Sequence, residues 1–174
     1  RTNAMSQSRR NFIKQSALAS TAFGAFAISG TKSSGKIIGA NERINVAVCG
    51  IKGRGGSHMG SLGRVKNVKI SHLVDPDSRL FQSRKGSSIF KKYGYVPECI
   101  QDVRKALENK DIHAVTVATP NHWHSLISIW ACQAGKDVYV EKPLSHNVWE
   151  GGQLLKAAKK YGCIVQHGTQ SRSN

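Results

Sequence analysis

Beyond residue 41 the chain alternates between short apolar runs and amphipathic stretches. The runs are "INVAVCG" (44–50), "VKISHLVD" (68–75), "IHAVTVAT" (112–119), "KDVYVEKP" (136–143) and "CIVQHGTQ" (163–170). Rich in β-branched side chains and too short for helices, they predict strands, most of them buried on both faces. The segments between them carry helical spacing. "GRGGSHMGSLGR" (53–64) opens a helix after the first strand. A polar stretch from about Ser78 to Lys92 predicts a single helix with Phe81 and Phe90 as its apolar anchors. Asp102 caps a helix whose Val103, Ala106 and Leu107 form an inward stripe. Thr119-Pro120 supplies an N-cap and a first-turn proline. In the helix that follows, Trp123, Leu126, Ile127, Trp130 and Ala131 recur at helical spacing, and Gly135 ends it. Ser145 caps a last helix that runs to Gly162. Strands alternating with helices predict an α/β fold, a parallel sheet covered on both faces.

The turn after the first strand, "VAVCGIKGRGGSHMG" (46–60), adds chemistry. A strand, a glycine-rich turn and a helix form the phosphate-binding unit of a doubly wound dinucleotide (Rossmann) fold. Gly50 makes the tight turn, and Gly55 or Gly56 lets helix and strand pack closely. The helix amino terminus offers unpaired N–H groups to a pyrophosphate. In the G-x-G-x-x-G register Lys52 stands where the second glycine belongs. Either its side chain points away, with Gly53 supplying the lost freedom, or its ammonium lies beside the phosphates. Asp75 ends the second strand, 20 residues after Gly55. An acid there accepts hydrogen bonds from the adenosine ribose and disfavours a 2′-phosphate, which favours NAD over NADP.

Composition and charge modify this picture little. The 174 residues suffice for one domain, and no span is long enough to cross a bilayer. The net charge of +16 raises the question of an anionic polymer as partner. Six of the 26 basic residues precede Asn41, where no acid occurs, so 20 basic against 10 acidic residues remain beyond it. They form no block of like charge and are not interleaved with aromatics, so the charge reads as a solvated surface and no nucleic-acid partner is expected. The four cysteines match no zinc or redox spacing and read as buried free thiols. His122-x-His124 would place its rings about 200° apart on a helix, so no metal site is expected.

Residues 8–14, "SRRNFIK", precede the mild apolar stretch "ALASTAFGAFAIS", with Ala25-Phe26-Ala27 as a small-x-small cleavage site. This order is that of a secretory signal, and the Arg9-Arg10 pair resembles the twin-arginine motif. Residues 1–40 are therefore expected to be an export signal and linker, and 41–174 the dinucleotide-binding domain. The expected destination is the periplasm, reached in the folded state, with no membrane contact beyond export.

Four stretches, "INVAVCGIKGRG", "HLVDPD", "VTVATPNHWH" and "VYVEKPLS", together with "VQHGTQSR", resemble the cofactor domain of the glucose–fructose oxidoreductase / inositol dehydrogenase / rhizopine-catabolism (Gfo/Idh/MocA) family over about residues 43–172. The resemblance implies a nicotinamide-dependent oxidoreductase acting on a sugar or polyol. It implies that Gly50, Lys52, Gly53, Arg54, Gly55 and Asp75 hold the cofactor. Thr119, Pro120, Asn121 and His124 would line its path, with Glu141 and Lys142 by the nicotinamide ribose. Lys142 is the implied catalytic residue, an ammonium that hydrogen-bonds a sugar hydroxyl and orients hydride transfer. Pro143 suggests a rigid bond, cis among the options. Gln170 and Arg172 reach either a ligand or solvent. Such enzymes carry a second α/β domain for substrate contacts and self-association. The chain stops at Asn174, so that domain and a homo-oligomer built through it are expected beyond it. Two alternatives stand beside the dehydrogenase: an exported glycosidase that uses NAD transiently by oxidation and elimination, and a non-catalytic nucleotide-binding module.

Overall fold

The computed structural model describes residues 43–172, and the expected export signal lies outside the described residues. Six parallel strands form one sheet: β1 (Ile44–Cys49), β2 (Val68–Val74), β3 (Glu98–Ile100), β4 (Ala114–Val117), β5 (Asp137–Glu141) and β6 (Val165–Gly168). Their spatial order is β3-β2-β1-β4-β5-β6, the doubly wound arrangement expected from the alternation. β1 lies at the centre, with Cys49 paired to Val74 on one side and to Val117 on the other. Val46, Ala47, Val48 and Cys49 are all buried, because a central parallel strand meets helices on both faces.

Helices α1 (Arg54–Leu62), α2 (Arg79–Lys85), α3 (Ser88–Tyr93), α4 (Val103–Glu108), α5 (Asn121–Gln133) and α6 (Val148–Tyr161) fill the crossovers. On one face Ala47, Cys49, Val115, Val117, Val138 and Val140 meet Ala106 and Leu107 of α4, Ile127 and Ala131 of α5, and Leu154 and Ala157 of α6. On the other, Val48, Ile70 and Leu73 pack with Met59 of α1 and Phe90 of α3. That second face is covered unevenly: beyond β1 the half-buried Tyr139 is touched by His58 of α1, and Gln166 of β6 is exposed. All four cysteines are free thiols, and burial pushes Cys49 and Cys132 up to about 12, so they remain protonated core residues.

Several local expectations are corrected. The helix expected over 78–92 is two helices, α2 ending at Gly86 and α3 starting after Ser87 in extended backbone. Residues nine apart on one helix point about 180° from each other, so an unbroken helix would aim Phe81 and Phe90 oppositely. The break lets both pack into the same cluster. α5 starts at Asn121, and Pro120, with ψ 148°, takes the cap position in place of Thr119, whose hydroxyl is unpaired. Its buried face runs through His124, Ile127, Ser128 and Ala131, leaving Trp123 and Leu126 exposed. The serines masked this face, because Ser128 Oγ donates to the His124 carbonyl at 2.6 Å and Ser125 Oγ to Leu144 at 3.3 Å. α6 is capped by Asn147, not Ser145. Asn147 Oδ1 accepts from Glu150 N at 2.9 Å, while the Glu150 carboxylate accepts from His146 N at 3.2 Å, one residue before the cap. The strand β3 has no sequence signal of its own, since three residues show no periodicity. Asp102 does cap α4, accepting from Arg104 N at 3.0 Å.

The closest packing lies at the first turn. Gly50 adopts φ +80°, and a Cβ on Gly55 would lie 1.7 Å from the Gly50 carbonyl oxygen. Gly55→Ala is expected to destabilise the fold by about 1–3 kcal/mol through overpacking. Gly60→Ala, in the same helix with nothing within 4 Å, is expected to stabilise it by about 0.5–1 kcal/mol. Urea unfolding midpoints of the two variants test this, and equal shifts would contradict it.

Candidate functional site

The carboxyl ends of β1, β2, β4 and β5 converge where the strand order reverses between β1 and β4. Ligands bind at such a switch point in open α/β sheets. The turn from Gly50 to Gly53 is anchored on both sides: Gly50 N donates to Val74 O at 2.8 Å, and Ala118 N to Cys49 O at 2.8 Å. Ile51 is fully buried, and its N–H donates to Asp75 Oδ2 at 3.0 Å. Lys52 is exposed, and its carbonyl accepts from Arg84 Nη2, a guanidinium reaching across from α2. The backbone thus tolerates Lys52 without the conformational freedom of a glycine. Gly53 caps α1 with no side chain on its amides, and the first turn of the helix holds no acid. An anion is favoured at that end by the open N–H groups and the helix dipole.

Asp75 is buried, and the structure adds a role that its sequence position did not reveal. Besides Ile51 N, Asp77 N donates to its Oδ1 at 3.0 Å. Each oxygen keeps a second lone pair for a ligand hydroxyl, and the carboxylate cannot swing aside. Next to it opens an apolar pocket of about 570 Å³, walled by Pro76, Gln101, Val103, Thr119, Trp123 and Ile127 among others. A smaller polar pocket, about 160 Å³, is lined by Arg54, Thr119, Asn121, His124, Glu141, Lys142 and Gln170. Thr119 belongs to both, so the pockets adjoin across the end of β4.

Glu141 closes β5 and is 4% exposed. Arg54 Nε donates to its Oε1 at 2.7 Å and His58 Nε2 to the same oxygen at 2.9 Å. Burial raises the carboxyl pKa, but the two hydrogen bonds and the Arg54 charge outweigh it, and the value lies below the ordinary carboxylate range. The exposed Lys142 follows, and the Lys142-Pro143 bond is cis. His124 is buried beneath both turns, Nδ1 2.6 Å from Pro143 O and Nε2 2.8 Å from Thr119 O. It bridges the turn after β4 and the turn after β5, with one ring nitrogen facing a carbonyl oxygen of each. Among the described residues no group of three His, Cys, Asp or Glu side chains could hold a metal ion.

The structure therefore brings together Arg54, Thr119, Asn121, His124, Glu141 and Lys142 at one pocket. Gly50, Gly53, Gly55 and Asp75 form the adjacent turn. Pro120 lines the apolar pocket, and Lys52 stays on the exposed side of the loop. Gln170 joins the polar pocket; with its amide oxygen toward Arg54 it accepts from Nη2 and Nε at 3.0 Å. His58 and Arg84 were not singled out as site residues. His58 stands one helical turn after Arg54, the spacing that shares a face and could have signalled it. Arg84 lies a whole crossover away and left no local signal.

Glu141, with a depressed folded-state pKa, contributes stability that is complete above its ordinary value of 4.5 and is lost as pH falls below it through the folded value. Glu141→Gln is expected to lower stability at neutral pH and to weaken this acid dependence. Unfolding free energies of both proteins between pH 7 and 3 test the sign.

A profile of the Gfo/Idh/MocA family, described as an oxidoreductase family with an NAD-binding Rossmann fold, matches residues 44–169. Levoglucosan dehydrogenase of Pseudarthrobacter phenanthrenivorans is 38% identical over 69 residues, covering 40% of this chain and 17% of that protein. A glycosyl hydrolase family 109 protein of Solibacter usitatus is 27% identical over 159 residues, covering 87% of this chain and 36% of its own. The crystal structure of GenD2 from gentamicin A biosynthesis, in complex with NAD, superposes with a TM-score of 0.64 at 30% identity, over 76% of this chain and 36% of that one. The chain thus spans little more than a third of the length of the relatives it matches along most of its own. With the doubly wound sheet, the uncapped glycine turn and the profile match all within residues 44–169, the chain belongs to the Gfo/Idh/MocA oxidoreductase family of the NAD-binding Rossmann fold.

Proposed function

We propose that the chain is the NAD-binding part of a dehydrogenase that oxidises a carbinol carbon of a sugar or polyol. The observation that carries the reading is the meeting of Lys142 and Glu141 with the Thr119–Asn121 turn at one polar pocket, beside an uncapped helix start. The residues fit the cofactor. A Cβ at Gly50 would lie 2.6 Å from Ala118 O, so glycine lets the turn pack on the end of β4, and nothing lies within 4 Å of a Cβ at Gly53, where the start of α1 is open to a diphosphate. The amides at the start of α1 suit the diphosphate, Asp75 the adenosine ribose, and the apolar pocket by Pro76 and Trp123 the adenine ring. The buried, doubly held Asp75 would face a 2′-phosphate as a fixed like charge, which favours NAD.

Bound NAD supplies the hydride acceptor. Lys142, exposed at the pocket, donates a hydrogen bond to the substrate hydroxyl and stabilises the oxygen as its proton passes to solvent water. Thr119 and Asn121 bound the opposite wall and orient the reacting carbon. His124 keeps both walls at a fixed separation. The twin-arginine-like segment supports export of the folded protein to the periplasm, where a second domain would complete the substrate site and build a homo-oligomer.

A glycosidase using NAD transiently is the second reading, favoured by the family 109 relative matched over 87% of this chain. Aryl-glycoside cleavage without accumulated NADH would select it; net NADH formation with free sugar selects the dehydrogenase.

Calorimetric titration is expected to give a dissociation constant for NADP at least about tenfold above that for NAD, roughly 1.4 kcal/mol; tighter NADP binding defeats the Asp75 assignment. In the full-length protein Lys142→Ala is expected to retain NAD affinity and lose about 10²–10⁴-fold in turnover. Unchanged turnover would support a non-catalytic module.

A further inference from the structure

We propose that His58 is a positioning residue that holds Glu141 by one oxygen and thereby presents the other to a hydroxyl of the ribose on the nicotinamide side. The inference rests on the reading of the polar pocket as a nucleotide site and adds a residue to it. Both protein partners of Glu141 converge on Oε1, Arg54 Nε at 2.7 Å and His58 Nε2 at 2.9 Å. Oε2 has no protein partner among the described residues, although Glu141 is 4% exposed and lines the pocket beside Lys142. A buried carboxylate with one oxygen doubly held and the other bare is preorganised as an acceptor for a ligand donor. Two donors on Oε1 also prevent the rotation that would exchange the oxygens.

His58 is built for this task and not for bracing the fold. A carboxylate only accepts, so the imidazole proton in this contact sits on Nε2. Nδ1 is buried without a hydrogen-bond partner among the described residues, so the hydrogen bonding of the ring is directed to Glu141. The ring is set edge-on against Tyr139, centroids 5.3 Å apart at 84°, which fixes its tilt. Arg54, the other partner, has 44% of its side chain exposed beside the phosphate end of the helix and would affect several ligand groups at once. His58 is buried and touches Glu141 without lining the pocket, so its effect travels through Glu141 alone.

The test compares two ligands. ADP occupies the adenosine and phosphate half, and NAD adds the ribose that would meet Glu141. Calorimetric titrations of the wild-type chain, His58→Ala, His58→Gln, Glu141→Gln and the His58→Ala/Glu141→Gln double variant are made with each. His58→Ala is expected to weaken NAD about tenfold and leave ADP within about twofold, the loss of one hydrogen bond to a charged group. His58→Gln, whose amide can donate to Oε1, is expected to recover most of the NAD affinity. The double variant should bind NAD no worse than Glu141→Gln, because the two residues act as one unit. Equal losses for NAD and ADP, or fully additive losses in the double variant, would overturn the positioning role. Wild-type binding of neither ligand would overturn the nucleotide reading itself and the inference with it.

Discussion

One close approach organises the molecule: the start of α1 rests on the carbonyl of Gly50, with no side chain between. Gly55 leaves no room for even a methyl group there, since its Cβ would stand 1.7 Å from that oxygen. The contact sets the helix against the end of β1, and much of the rest follows. The uncapped amides of α1 face the switch point, and the side chains one turn apart on its lower face, Arg54 and His58, reach past β4 to Glu141 at the end of β5. The glycine turn therefore does more than clear space for phosphates. It also aims two donors at a carboxylate more than eighty residues away in the chain.

The site carries two acids treated alike. Asp75 and Glu141 are both buried, and each is held by donors the protein supplies, backbone amides for the first and side chains for the second. An ionised carboxylate out of water is costly unless it is hydrogen-bonded, and these donors offset that cost before any ligand arrives. What remains on each carboxylate is acceptor capacity in a fixed direction, suited to the hydroxyls of two riboses. The cations are distributed differently. Arg54 is committed to Glu141, Arg84 to the Lys52 carbonyl, and Lys142 stands exposed at the pocket. The proposed chemistry falls to Lys142, the other cation lining the polar pocket.

Helix ends were the least legible part of the fold. Asn147 takes the cap of α6 in place of Ser145 because it pairs twice with Glu150, accepting from its backbone N–H and donating to its carboxylate. The inward face of α5 was hidden by its polarity: Ser125 and Ser128 are buried because they satisfy their hydroxyls on nearby carbonyls. The tryptophan and leucine of the apparent apolar stripe then line or border a pocket and the surface.

From the sequence alone came the parallel sheet, five of its six strands, the glycine turn, Asp75 and the Glu141-Lys142-Pro143 segment. These are written in local patterns: runs of branched apolar residues for strands buried on both faces, and glycines where a backbone must turn or approach another. Only the tertiary structure decided what those groups do for one another. That Asp75 also supports the glycine turn, that His124 spans two turns, and that His58 and Arg54 share one oxygen of Glu141 are contacts between segments 5 to 87 residues apart. Such contacts depend on where the crossovers bring strand ends together, and hydrogen-bond partners chosen across a sheet leave no periodicity in the chain.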